Sequence, residues 1–124
     1  MNKVLAALML FVCLASPAFG EQDVEQQKIA YLIASIADLK DASFIRNGKA
    51  YDAGRAADHL RLKLSRAGDR VKTAEDFITY CATGSSTSGA KYEIKFGDGR
   101  TVDSATFLRG KLAEYNAGKA NGTR

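Results

Sequence analysis

Residues 73–96 read TAEDFITYCATGSSTSGAKYEIKF, and the apolar period changes half-way along. Ala74, Phe77, Ile78 and Cys81 recur at three- and four-residue spacing, which sets them on one helical face. Thr73, with Asp76 three residues on, opens that helix as a capping-box pair, and Gly84 is expected to stop it. Tyr92, Ile94 and Phe96 then alternate with Lys91, Glu93 and Lys95, the period of a half-buried strand. Ser85, Ser86, Thr87 and Ser88 lie between the two patterns, bracketed by Gly84 and Gly89. A helix and a strand joined so closely must share one core, so the segment between them is a loop pinned at both ends rather than a linker.

Downstream, Gly97-Asp98-Gly99 turns the chain and Arg100 to Val102 can pair back. Asp103 can cap a last helix carrying Phe107, Leu108, Leu112 and Tyr115. From Asn116 to Arg124 apolar content is low, and a frayed tail is expected. Upstream, Lys28 to Lys40 places Ile29, Leu32, Ile33, Ile36 and Leu39 at helical spacing, with Glu21, Asp23 and Glu25 before it to favour a helix start. Phe44, Ile45 and Tyr51 flank Asn47-Gly48, the dipeptide that best accepts positive φ in a two-residue hairpin turn. Asp52 can cap the next helix, whose narrow face of Ala53, Ala56, Ala57, Leu60, Leu64 and Ala67 permits close approach before Gly68 ends it. The expected architecture is α+β: about four helices packed with two short β-hairpins in a single small domain.

The first twenty residues read as an address. Lys3 precedes the apolar run VLAALMLFVCLA, Pro17 breaks it, and Ala18-Phe19-Gly20 supplies small residues for a signal peptidase cutting before Glu21. The run is shorter than the about 20 residues a membrane-spanning helix needs. The expectation is a secretory signal over 1–20 and one soluble domain over 21–124, periplasmic or secreted, with no transmembrane segment in the mature chain. Cys13 could suggest a lipid-modified cysteine, but the branched Val12 stands where such a site wants a small residue.

The chain carries 18 basic and 14 acidic side chains, a formal charge of +4, falling to +3 once Lys3 is removed. The charges are interspersed without a basic stripe, which argues against a nucleic-acid partner. After cleavage Cys81 is the one cysteine left, so no internal disulfide can form. Its place on the apolar face predicts a buried, unreactive thiol.

Four stretches, FIRNG (44–48), HLRLKL (59–64), TAEDFI (73–78) and SSTSGAKY (85–92), stand in one order with short spacers. That series resembles the YfeK-like family, small exported bacterial proteins with a domain of unknown function. The resemblance runs from about Lys28 to Phe96 and implies a periplasmic home and a single domain, with no reaction or ligand attached. Family members commonly carry an acidic residue where Arg55 stands and a hydroxyl residue where Gly84 stands, two departures in this chain.

The hydroxyls of Ser85, Ser86 and Ser88, with the freely turning backbone at Gly89 and with Tyr92 beyond, could meet an anion, a sugar or a peptide. They could equally satisfy the loop's own backbone. Arg46 beside the Asn47-Gly48 tip could clamp a carboxylate, or simply be solvated. His59, with Lys63 one turn later, borders its helix's apolar face. One histidine and one core-facing cysteine are too few for a zinc site, and no cofactor is expected. The leading expectation is therefore a non-enzymatic binding or accessory module for a protein, peptide or cell-wall ligand. It would use Arg46, Asn47, Gly48, His59, Lys63, Ser85, Ser86, Ser88, Gly89 and Tyr92. One alternative is a small hydrolase pairing a loop serine with His59, although no GxSxG elbow is present. Another is a dimeric structural or inhibitor protein using Leu62, which faces away from its helix's apolar stripe. The sequence leaves the oligomeric state open.

Overall fold

A computed structural model of the chain describes residues 20–122. Nearly all of the expected signal segment lies outside those residues. The elements run α1 (Glu21–Ala37), β1 (Ala42–Arg46), β2 (Lys49–Tyr51), α2 (Ala53–Ala67), a 3-10 turn (Gly68–Arg70), α3 (Ala74–Cys81), β3 (Glu93–Phe96), β4 (Thr101–Asp103) and α4 (Ser104–Gly122). The α+β architecture of four helices and two hairpins is the one the periodicities predict.

Local chemistry sets most of the boundaries. The Asp52 carboxylate accepts the Arg55 amide at 2.8 Å and opens α2. Thr73 and Asp76 form both halves of the capping box at the start of α3. Asn47 and Gly48 take φ of +52° and +77°, the double positive φ of a two-residue hairpin turn. α1 starts seven residues ahead of Lys28, with Glu21 and Asp23 inside its first turn rather than before it. That turn is exposed and carries no apolar period, so periodicity could not find it. Glu25 is nevertheless useful there, because its Oε1 accepts the Ala74 amide at 2.7 Å and ties α1 to the start of α3. α4 continues to Gly122, past the Asn116 where the sequence offers little apolar anchorage.

The two hairpins join into one antiparallel sheet of order β2-β1-β3-β4. The junction pairs Phe44 with Ile94 and Ala42 with Phe96, strands that are distant in the chain. In this register Phe44, Tyr51, Ile94 and Val102 share a face. Phe44 and Ile94 enter the common core with Leu32 and Ile36 of α1, Leu60 of α2, Phe77 and Ile78 of α3, and Leu108 of α4. Cys81 is buried in the same core, and burial pushes its thiol pKa up, the unreactive state that its helical face predicts. The Asp41 carboxylate fills the space beside Gly97 that a Cβ would take, so a larger residue there would make Asp41 swing away. Among the described residues no helix is long and apolar enough to cross a membrane.

Candidate functional site

The hairpin tip, α2 and the hydroxyl loop converge at one end of the sheet. The loop leaves α3 through Ala82 and Thr83, whose Oγ1 donates to the Ile78 carbonyl at 2.7 Å. Gly84 bridges to Lys91, and the Ser85 amide donates to the Ala90 carbonyl at 2.9 Å, closing the loop's neck. A Cβ at Gly84 would lie 2.9 Å from the Ala90 carbonyl oxygen, so a hydroxyl residue in this position would require the neck to shift.

Within the loop the serines divide into two kinds. Ser85 is buried, and its Oγ accepts the Thr87 and Ser88 amides at 3.2 Å each. Asn47, across on the hairpin tip, donates Nδ2 to the same Oγ at 3.4 Å and accepts from Ser88 Oγ at 2.5 Å. Ser85 and Ser88 therefore stitch the loop to itself and to the first hairpin. Ser86 and Thr87 are exposed, and neither side chain has a hydrogen bond among the described residues. They form the crest of an anchored loop.

Lys63 and His59 support the loop from α2. Lys63 Nζ donates to the Gly84 carbonyl at 2.9 Å and to the Tyr92 hydroxyl at 3.0 Å. The same hydroxyl lies 3.1 Å from His59 Nε2. Because a lysine ammonium can only donate, the Tyr92 oxygen accepts from Lys63 and its own proton is free for His59. In the tautomer with Nε2 unprotonated, the ring accepts that proton. His59 is suited to the neutral form: burial first, then the charges of Arg46, Lys63 and Arg66, hold its pKa below the usual 6.5. Tyr92 itself is only 2 % exposed, so its hydroxyl faces this network rather than solvent.

On the other side of His59, a cleft of about 260 Å³ opens between α2 and the first hairpin. Phe44, Arg46, Tyr51, Arg55, His59 and Leu62 line it together with Ala56 and Asp58. Arg46 lies over the Tyr51 ring at 4.8 Å and donates Nη2 to its hydroxyl at 3.1 Å, while Arg55 approaches the same ring at 5.7 Å. Asp58 pairs with Arg61 at 3.0 Å. Among the described residues neither Arg46 nor Arg55 has an ion-pair partner.

The ten residues expected to form a site are therefore brought to one end of the molecule, in different roles. Asn47, Ser85, Ser88, Lys63 and Tyr92 hold the framework; Gly48 and Gly89 supply positive φ; Arg46 and His59 line the cleft; Ser86 stands on the crest. Tyr51, Arg55 and Leu62 belong to the cleft but were not among the ten. The hairpin register could have placed Tyr51, since a two-residue turn sets it opposite Phe44 on the face that Arg46 also shares. No hydrogen bond joins His59 to a loop serine among the described residues, and no group of three or more His, Cys, Asp and Glu side chains among them could hold a metal ion.

Comparison with known proteins places the domain in a family. A model described as "Family of unknown function (DUF5329)" matches residues 23–116. The chain belongs to this family. It is also 37% identical over 93 residues to the "Uncharacterized protein YfeK" of Salmonella typhimurium (strain LT2), a match covering 74% of this chain and 77% of that relative. The matched span contains the anchored loop, the hairpin and the cleft. No solved structure gives a significant match.

Proposed function

We propose that this protein is an exported, non-catalytic binding or accessory module, and that it meets its partner with the crest of the hydroxyl loop and the adjoining cleft. The observation that carries the reading is the division of labour among the loop hydroxyls. Ser85 and Ser88 are spent on anchoring, whereas Ser86 and Thr87 present unengaged side chains from a loop fixed at its neck, at Asn47 and at Lys63. Preorganised polar groups bind at lower ordering cost than mobile ones, because little conformational freedom remains to be lost. The chemistry of the site favours binding over hydrolysis, since a serine nucleophile needs a base within hydrogen-bond reach. His59 Nε2 is committed to Tyr92, and Ser85 Oγ to the loop's amides. Export is supported by the charged, apolar and small-residue pattern of residues 1–20.

Photo-crosslinking in the native envelope tests this. A crosslinker at Ser86 is expected to capture a discrete partner, and one at Thr101, on the edge strand β4 at the far side of the sheet, is not. Equal capture from both positions, or none from either, would overturn the proposal.

A further inference from the structure

We infer that the cleft between α2 and the first hairpin takes a carboxylate carried beside a small apolar group, with Arg46 and Arg55 gripping the acid. The inference rests on the binding-module reading and goes beyond it by naming a ligand class. Two guanidinium groups stand over one tyrosine ring, at 4.8 and 5.7 Å. Such an arrangement concentrates positive charge, and among the described residues no carboxylate pairs with either guanidinium: the single carboxylate on the cleft wall, Asp58, is bonded to Arg61 instead. Arg46 spends one N–H on the Tyr51 hydroxyl, leaving the rest of its planar fork free. That fork matches both oxygens of a carboxylate.

The remaining wall is apolar. Phe44 lies deep in it, and Leu62 is 44% exposed at its rim, the one large apolar side chain of α2 left in solvent. A ligand that covers Leu62 while its acid meets the arginines would bury both otherwise unsatisfied features at once. The volume of about 260 Å³ is at or below the low end of small-molecule sites, which suits one acidic residue's worth of ligand rather than an extended chain. A free carboxy-terminal residue with an aliphatic side chain has this chemistry.

The test is an NMR titration of the chain from Glu21 on, which contains every core residue described, with N-acetyl-leucine as probe. Saturable shifts are expected at Arg46, Arg55, His59 and Leu62. N-acetyl-leucinamide, the neutral twin, should bind at least about tenfold more weakly, because a charge-assisted pair is lost. The Arg46→Gln/Arg55→Gln double variant should show the same loss with its core resonances unmoved. Equal affinity for acid and amide overturns the inference without any variant, as does full retention by the double variant. Equal response to inorganic phosphate would reduce the cleft to an unselective anion site and overturn it too. A cleft that takes no acid while Ser86 still captures a partner rejects the ligand class and leaves the binding module standing; failure of both experiments rejects both.

Discussion

The hydroxyl loop and the cleft are neighbours that share the His59–Tyr92–Lys63 network, yet they use their polar groups in opposite ways. In the loop the groups below the crest are paired: Ser85 gathers three donors, Ser88 and Asn47 face each other, and Lys63 closes the neck. In the cleft, two arginines rest on an aromatic ring with no ion-pair partner among the described residues. Satisfied polar groups in a buried setting signal structure, whereas the open guanidinium forks of the cleft have the geometry to meet the carboxylate proposed above. The comparison teaches that the hydroxyl-rich segment, the more conspicuous of the two in sequence, is mainly scaffold below its crest, and that the proposed ligand class rests on the less conspicuous cleft.

Changes at the shared wall should do most damage. Tyr92→Ala removes a buried ring that packs on Phe44 at 5.4 Å and also strands Lys63 and His59. It should cost about 3–5 kcal/mol in urea unfolding, the range for deleting a buried aromatic. A loss below about 1 kcal/mol would show that loop and cleft do not depend on a common wall.

Asn47 comes next, because it serves the turn and the loop together. Asn47→Ala should cost about 2 kcal/mol, combining an alanine forced to positive φ with the lost bonds to Ser85 and Ser88. Asn47→Gly keeps the turn and loses only the bonds, so about 1 kcal/mol is expected. Identical costs for the two would mean that the amide contributes nothing to holding the loop. Within the loop, Ser85→Ala should cost about 1–2 kcal/mol because two backbone amides lose their acceptor. Ser86→Ala should leave the unfolding midpoint where it is, and a large loss there would erase the distinction between anchor and crest.

The smallest effect is the pH dependence of the shared network. His59 has a pKa below 6.5 when folded, so the unfolded chain binds the proton more readily. Stability is therefore complete above pH 6.5, falls as the pH drops through 6.5, and levels off once the folded protein is also protonated. Thermal unfolding from about pH 8 to pH 5 should show this slope in the wild type and a flatter curve in His59→Gln. The opposite slope would mean that the imidazolium is favoured in the fold and that the neutral-ring assignment is wrong.

Much of this was legible in the sequence because it is local. The caps at Asp52 and Thr73, the Asn47-Gly48 turn and the alternation from Tyr92 to Phe96 each depend on residues within a few positions of one another. The β1–β3 junction was not legible, since pairing Phe44 with Ile94 leaves no signature in either strand. The same limit explains the site. Serines, a lone histidine and an Arg-Asn-Gly tip attract notice one by one, but their partners are set by the fold. Only the junction brings Asn47 against Ser88 and Lys63 under Tyr92, and only α2 folded onto the hairpin sets Arg55 and Leu62 beside Arg46. In sequence Arg55 is a departure from the family pattern and Leu62 a candidate dimer contact; in the fold both stand on the α2 wall of one cleft, facing the hairpin.

Amide hydrogen exchange across residues 83–92 tests most directly whether the loop is held as an anchored scaffold. The Ser85 and Gly89 amides, bonded at 2.9 Å to Ala90 and Ser85 carbonyls, should exchange slowly in the wild type, and Asn47→Gly should speed both while leaving Tyr92 protected. Exchange at Ser85 and Gly89 as fast as in an unstructured peptide, with Tyr92 still protected, would contradict the account.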